Sequence, residues 1–220
     1  KLHHETIRRY VLKFTNAIDK YTSSIKPKLS NKIHVDEQKV RTKHNEFVWS
    51  WNAIDNETRF QIANVVTKER NIEDATKIFN KIKDVAGKID LEITTDKLTS
   101  YPHAIGQVFH KVNEWEYNQK AVKHIANAGI NQVHKHNNII ERYRNQFREF
   151  DKVRRGLEEV RLFNQGFRLY HNFIKENSTI GMTPSEKAGI DLELGNNKWL
   201  GLLKKSLQTD GMQKSTNATK

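Results

Sequence analysis

Between residues 33 and 95 the spacing of apolar side chains changes period and then changes back, and few folds accommodate that succession. Three short runs rich in β-branched and aromatic residues, Ile33 to Arg41, Phe47 to Ile54 and Phe60 to Thr67, predict strands. Between the second and third, Asp55-Asn56-Glu57-Thr58 supplies side chains that bond their own backbone, which predicts an antiparallel hairpin. Ile72, Ala75, Ile78, Phe79, Ile82 and Val85 then recur at helical spacing up to Gly87, the residue type that tolerates a left-handed helix cap. A fourth strand-like run, Ile89 to Thr95, follows. Strands, then a helix, then a strand make an α/β sheet with a crossover.

The flanks read differently. Ile7, Val11, Phe14 and Ile18 form a helical stripe over residues 4 to 20, with Arg8, Arg9, Lys13 and Lys20 off it, so a basic amphipathic helix is expected. Tyr21 to Lys32 has too few apolar residues for a core face and reads as a linker, placing a domain boundary near residue 30. The opening KLHHETIRRY reads as the middle of a helix, so more chain is expected upstream. After Pro102 a short helix to Gly106 and a fifth strand from Val108 to Tyr117 are expected, then a polar connection from Gly129 to Asn137. Ile140, Tyr143, Phe147 and Phe150 predict a helix over Asn138 to Phe150 with one face on a core, and a further helix is expected over Leu157 to Ile174. Pro184 suits a first helical turn, Trp199 to Leu207 is amphipathic, and the tail from Gln208 is polar throughout. The expected division is residues 1–30, 31–178 and 179–220.

Charge and composition narrow the chemistry. With 38 Lys and Arg against 26 Asp and Glu in 220 residues, the net charge of +12 excludes an acidic solvating protein. The absence of Cys removes disulfide frameworks, cysteine-based zinc sites and thiol nucleophiles. No stretch approaches the roughly 18 consecutive apolar residues of a membrane span, and a cytoplasmic location is the default expectation. No phosphate-binding glycine loop and no nucleophile-elbow serine occurs, so nucleotide cofactors are not expected.

Three carboxylates stand out by position. Asp36 lies within the first predicted strand, Asp96 at the end of the fourth, and Glu141 in the first turn of the helix beginning near residue 138. In an open α/β sheet a ligand crevice forms at the carboxyl ends of strands, and a helix packed there can present a third carboxylate. Converging carboxylates repel unless cations bridge them, and oxygen-only donors favour Mg²⁺ or Mn²⁺, a pair of which can clamp an in-line displacement at phosphorus. Among 26 acidic residues, however, triples at almost any spacing occur, and spacing alone favours ordinary surface carboxylates.

A resemblance adds to this reading. HVDEQ (34–38), WSWNAIDNETR (49–59), ITTDKLTSYPHAI (93–105), NNIIERYRNQFREFDKVRRG (137–156), GFRLYHNFI (166–174) and GMTPSEKAGI (181–190) resemble, in order and approximate separation, DDE-type insertion-sequence transposases of bacteria and archaea. The resemblance covers most of residues 33–190 and implies a ribonuclease H-like catalytic domain similar to that of retroviral integrases, a mixed five-stranded sheet flanked by helices. It places Asp36, Asp96 and Glu141 on the family's catalytic, metal-binding positions, with Asp36 bridging two Mg²⁺ or Mn²⁺ ions and the others each holding one. It implies cleavage of a transposon end to leave a 3′-hydroxyl, then attack of that hydroxyl on target DNA, by an enzyme that self-associates on paired DNA ends. The chain departs from many relatives in the wide interval between Asp96 and Glu141, which calls for an insertion around residues 108–131.

A DNA partner, implied by the resemblance together with a nucleoid-associated location, also accounts for the charge. Arg142, Arg144, Arg148, Lys152, Arg154 and Arg155 follow Glu141 closely, and Arg144 and Arg148 share a helical edge with it. The string HHETIRRYV resembles the recognition helix of the helix-turn-helix that precedes the catalytic domain in these transposases, which would set Thr6, Arg8, Arg9 and Lys13 against DNA; an ordinary packing helix fits the pattern equally. His3-His4 and His134-Lys135-His136 lack the spacing that puts two imidazoles on one helix face, and are read as loop or DNA-facing residues. Trp49 with Trp51, and Trp115 with Tyr117, are expected in the core. Two alternatives stay open: a transposase-derived DNA-binding protein without chemistry, and a nuclease on the same fold.

Overall fold

The computed structural model describes residues 2–87, 90–109, 122–126, 138–152 and 156–217, with residues 209–217 described by their backbone. It falls into two compact units, Leu29–Asn164 and Lys1–Lys28 together with Gln165–Lys220. The sequence suggests three successive pieces, whereas the N-terminal helix and the C-terminal segment cluster as one body.

The first unit is built on a five-stranded sheet: β1 (Lys32–Arg41), β2 (Phe47–Asp55), β3 (Gln61–Thr67), β4 (Leu91–Thr95) and β5 (Val122–Ala126), in the order β3-β2-β1-β4-β5. β1, β2 and β3 pair antiparallel, and β4 and β5 run parallel to β1, so the sheet is mixed. The hairpin turn between β2 and β3 is organised by Asp55, whose carboxylate accepts from the Ser30, Glu57 and Thr58 amides and from both hydroxyls of Ser30 and Thr58. Helix α2 (Ile72–Ala86) is capped at its start by the Asn71 side chain and closed by Gly87 at φ 58°. Its Ala75, Ile78, Phe79 and Ile82 pack with Ile33, Val35, Trp51 and Ala53 of the sheet and with Tyr101, Ala104 and Ile105 of α3 (Ser100–Phe109) in one buried cluster.

The region after Asp96 corrects two expectations. The helix runs from Ser100 through Phe109, not from Pro102 to Gly106, and Val108 and Phe109 belong to it and not to a strand. Pro102 is tolerated because its missing N–H falls in the first turn, where no intrahelical partner exists. The buried set Tyr101, Ala104, Ile105, Val108 and Phe109 has the helical period that overrides the β-propensity of its last members. The fifth strand is Val122–Ala126. Trp115, Tyr117, the connection at 129–137 and the histidines at 134 and 136 lie outside the described residues.

On the sheet face opposite the α2 and α3 cluster lies α4 (Asn138–Lys152), which buries Ile140, Tyr143 and Phe147 and leaves Phe150 at 40% exposure, outside the core. Under it the sheet is polar: His34, Asp36 and Gln38 of β1 and Ser50 and Asn52 of β2 are buried. Gln61 donates to Asn52, and the Asn164 amide donates to the Ser50 hydroxyl at 2.8 Å.

In the second unit, α1 (His4–Ser23) runs three residues beyond the expected helix, starts on the His3 side chain and buries Ile18 and Thr22. Asp19 of α1 pairs with Arg168 and accepts from Gln165. α5 (Val160–Leu169), within which the two units divide, is followed by a π-helical turn, Tyr170–Ile174, where the sequence predicts uninterrupted α-helix. α6 (Pro184–Lys187) starts on a reciprocal cap between Thr183 and Glu186 with Pro184 in its first turn. α7 (Lys198–Asn217) carries helical backbone through the segment read as a polar tail. Among the described residues, no helix is long and apolar enough to cross a membrane.

Candidate active site

The parallel ladder between β1 and β4 ends at His34 opposite Thr94, two residues before Asp36 on one strand and two before Asp96 on the other. The strands part there, and the crevice at the carboxyl end of β4 receives both aspartates. Asp36, Glu37 and Asp96 each offer a carboxylate oxygen, and those oxygens lie within 4.8 Å of one another. The sequence reading names the first and third; Glu37 is the residue it misses. Strand alternation puts adjacent side chains on opposite faces. Accordingly, Asp36 lies on the α4 side and Glu37 on the α3 side, and they converge only because the sheet opens beside them.

Each carboxylate is held. Asp36 accepts from the Glu37 amide at 2.9 Å and from the guanidinium of Arg144 on α4. Glu37 accepts from Arg70 at 3.0 Å and from the Tyr101 hydroxyl of α3. Asp96 accepts from the Leu98 amide at 2.9 Å, a turn that leads into α3. Burial pushes the Asp36 carboxyl above the usual carboxylate range; Arg144 pulls it back, and the Asp96 charge pushes it up again. Glu37 is also pushed up by burial and by Asp96 and Asp36, against the pull of the Tyr101 hydrogen bond and the Arg70 charge. The Tyr101 phenol lies far above its ordinary value, first through burial and then through Glu37, so it stays protonated and donates. The site therefore concentrates negative charge that Arg144 and Arg70 only partly offset.

Glu141 stands in the first turn of α4, exposed, and is not one of the three carboxylates within 4.8 Å of each other. It lies one helical turn before Arg144, on the edge of α4 from which Arg144 reaches Asp36. Arg142 and Arg148 are exposed on the same helix, while Arg154 and Arg155 lie outside the described residues. Burial lowers the Arg59 guanidinium at the β2–β3 turn, and the like charge of Arg142 on α4 lowers it further. Of the expected contacts on α1, Arg8, Arg9 and Lys13 are exposed, Thr6 is half-buried, and Arg8 lies 3.6 Å from Glu5. Trp51 is fully buried, as expected, whereas Trp49 is only partly so.

Oxygen-only donors at this spacing fit a hard divalent cation. The donor set, the burial and the raised carboxyls are those of a site that gains from added positive charge.

The fold is shared with solved structures. The HTLV-2 integrase catalytic core domain in complex with magnesium, in its trimeric form, superposes with a TM-score of 0.51 at 13% identity, covering 74% of this chain and 98% of that one. A chain of the simian T-cell lymphotropic virus intasome in complex with the PP2A regulatory subunit B56 gamma matches with a TM-score of 0.50 at 12% identity, over 74% of this chain. The match covers only 56% of that intasome chain's length. No curated protein matches the sequence. A family model described as a DDE domain, of the IS240 transposase type, matches residues 30–177, which takes in the whole sheet, the carboxylate crevice and α4. The chain belongs to this DDE transposase family.

Proposed function

We propose that the crevice cuts DNA at a transposon end and joins the resulting 3′-hydroxyl to target DNA, with Asp36, Asp96 and Glu141 as its catalytic carboxylates. The observation that carries this reading is the convergence of Asp36 and Asp96 with Glu37 where β1 and β4 part, a cluster of oxygen donors without a protein nucleophile among them. Asp36 and Asp96 would hold divalent cations, Mg²⁺ or Mn²⁺ and two in number, with Glu141 delivered from α4. When bound, such cations supply the charge that activates an oxygen nucleophile and stabilises the leaving oxygen of an in-line displacement at phosphorus.

The chain's own residues do the rest. Tyr101 and Arg70 fix the Glu37 carboxylate behind the aspartates. Arg144 neutralises Asp36 in the absence of other cations and, once displaced, is free to grip a phosphate with its planar fork. Arg142 and Arg148, exposed along α4, extend the phosphate-binding edge, and Arg154 and Arg155 continue it in sequence. Thr6, Arg8, Arg9 and Lys13 of α1 offer a second, separate DNA contact. Self-association on paired ends follows from the need to hold two transposon termini at once.

The test is a strand-transfer assay with Mg²⁺ on the DNA termini that flank the coding region. Joined products that vanish in Asp96→Asn support the proposal. Cut but unjoined products assign a nuclease, and DNA binding without cutting assigns a DNA-binding derivative.

A further inference from the structure

We propose that Lys39, Phe47, Trp49 and Arg70 form a binding strip for an unpaired stretch of DNA that leads to the carboxylate crevice. This rests on the DNA-processing reading above and adds where the single strand lies. Phe47, Trp49 and Trp51 point to one face of β2, but only Trp51 is sealed in the core; Trp49 is half-buried and Phe47 is 50% exposed. Lys39 is the register partner of Trp49, and its ammonium lies 4.4 Å from the centre of the Phe47 ring and 6.0 Å from that of Trp49. The Arg70 guanidinium lies 4.5 Å over the Trp49 ring and also donates to Glu37 at 3.0 Å. Glu37 in turn shares the crevice with Asp36 and Asp96. Rings and cations thus alternate from the outer end of the sheet to the edge of the site.

Cations over rings also shield apolar surface, and a sheet edge gains from that alone. Two features go beyond shielding. Arg70 is oriented on two sides, by a ring and by a carboxylate, while its side chain remains 41% exposed, so a donor fork is preset beside the crevice. And the exposed Phe47 ring and the half-buried Trp49 ring stand among cations on a chain of net charge +12, which suits a polyanion that also carries flat apolar groups. A duplex keeps its base faces stacked within itself. Only an unpaired strand offers base faces to Phe47 and Trp49 together with phosphates to Lys39 and Arg70.

Fluorescence anisotropy in EDTA with the full chain separates the possibilities, using one labelled DNA hairpin with a blunt end and the same hairpin with a short single-stranded tail. The wild type is expected to prefer the tailed DNA. Phe47→Ala and Lys39→Gln are each expected to weaken tailed binding, Phe47→Ala by about tenfold as for one lost stacked base, and to leave blunt binding unchanged. Arg70→Lys, which keeps the charge and loses the fork, is expected to weaken tailed binding as well. Both Phe47 and Lys39 are exposed, so unchanged melting curves certify folding, and Lys39→Gln alone decides the matter if Phe47→Ala melts early. Equal wild-type affinity for the two DNAs, or variants that weaken both alike, would overturn the strip. A tail preference in a chain that cuts no DNA defeats the catalytic proposal and not the strip, whereas strand transfer without a tail preference does the reverse.

Discussion

Glu37 shows how much one residue's environment can add to a site. It follows Asp36 directly, points to the other side of β1, and still brings an oxygen within 4.8 Å of Asp36 and Asp96. With Tyr101 and Arg70 already bonded to it, Glu37 is placed to orient the aspartates, and on the proposed reading the third ligand is Glu141. Two substitutions separate these roles. Glu37→Gln is expected to cost about ten- to a hundredfold in Mn²⁺ affinity, the usual loss for a group supporting a ligand, while retaining residual strand transfer. Glu141→Gln is expected to abolish strand transfer. Electron paramagnetic resonance of bound Mn²⁺ and a strand-transfer assay measure the two effects; the opposite ranking would make Glu37 the third catalytic carboxylate. Asp36 and Asp96 meet at strand positions that a crevice uses, although spacing alone does not single them out among 26 acidic residues. The place of Glu37 beside them is not foreseen, because alternation along a strand argues that neighbours diverge, and nothing in a linear string marks where β4 parts from β1.

At the scale of elements, local polar groups set the frame that holds the crevice. Asp55 is fully buried and accepts from two amides of its own turn and from the Ser30 amide ahead of β1, so one side chain ties the β2–β3 turn to the start of the strand carrying Asp36. Removing it leaves several donors without a partner, and Asp55→Ala is expected to destabilise the protein by about 3 kcal/mol in chemical denaturation. Asn71→Ala removes only the cap of α2 and is expected to cost about 1 kcal/mol. Equal effects would mean that the Asp55 turn contributes no more than an ordinary cap. The turn is visible in the sequence because it is made by residues close along the chain; the Asn71 cap is equally local, but the sequence reading names only the Gly87 end of that helix. The fifth strand is not visible there: Val122–Ala126 is short, and its partner among the described residues, β4, lies more than twenty residues earlier, so its pairing is decided by the sheet edge it meets.

For the whole molecule, the buried acidic cluster links stability to pH and, on the proposed reading, to cations. Asp36 and Glu37 bind protons more tightly in the folded chain than their ordinary values of 3.8 and 4.5. A carboxyl raised by folding contributes stability that is full below its ordinary value and is lost as pH rises through the raised one. Without divalent cations, the wild type is therefore expected to lose melting temperature relative to an Asp36→Asn, Glu37→Gln double variant as pH climbs from about 4 toward neutrality. Excess Mn²⁺ at neutral pH should raise the wild type and leave the variant unmoved, because only the ionised cluster binds the ion and binding to the folded state alone is stabilising. Parallel melting curves in both conditions would contradict this. The sequence by itself determined the first four strands with the helix between the third and fourth, the β2–β3 turn, the Gly87 cap, the basic balance and the element that carries or adjoins each of Asp36, Asp96 and Glu141, since each depends on residue type and near neighbours. The tertiary structure alone decided that Glu37 joins the aspartates, that Arg144 and Arg70 lie against them, and that α1 clusters with the C-terminal segment, because those depend on where strands separate and on which distant surfaces bury one another.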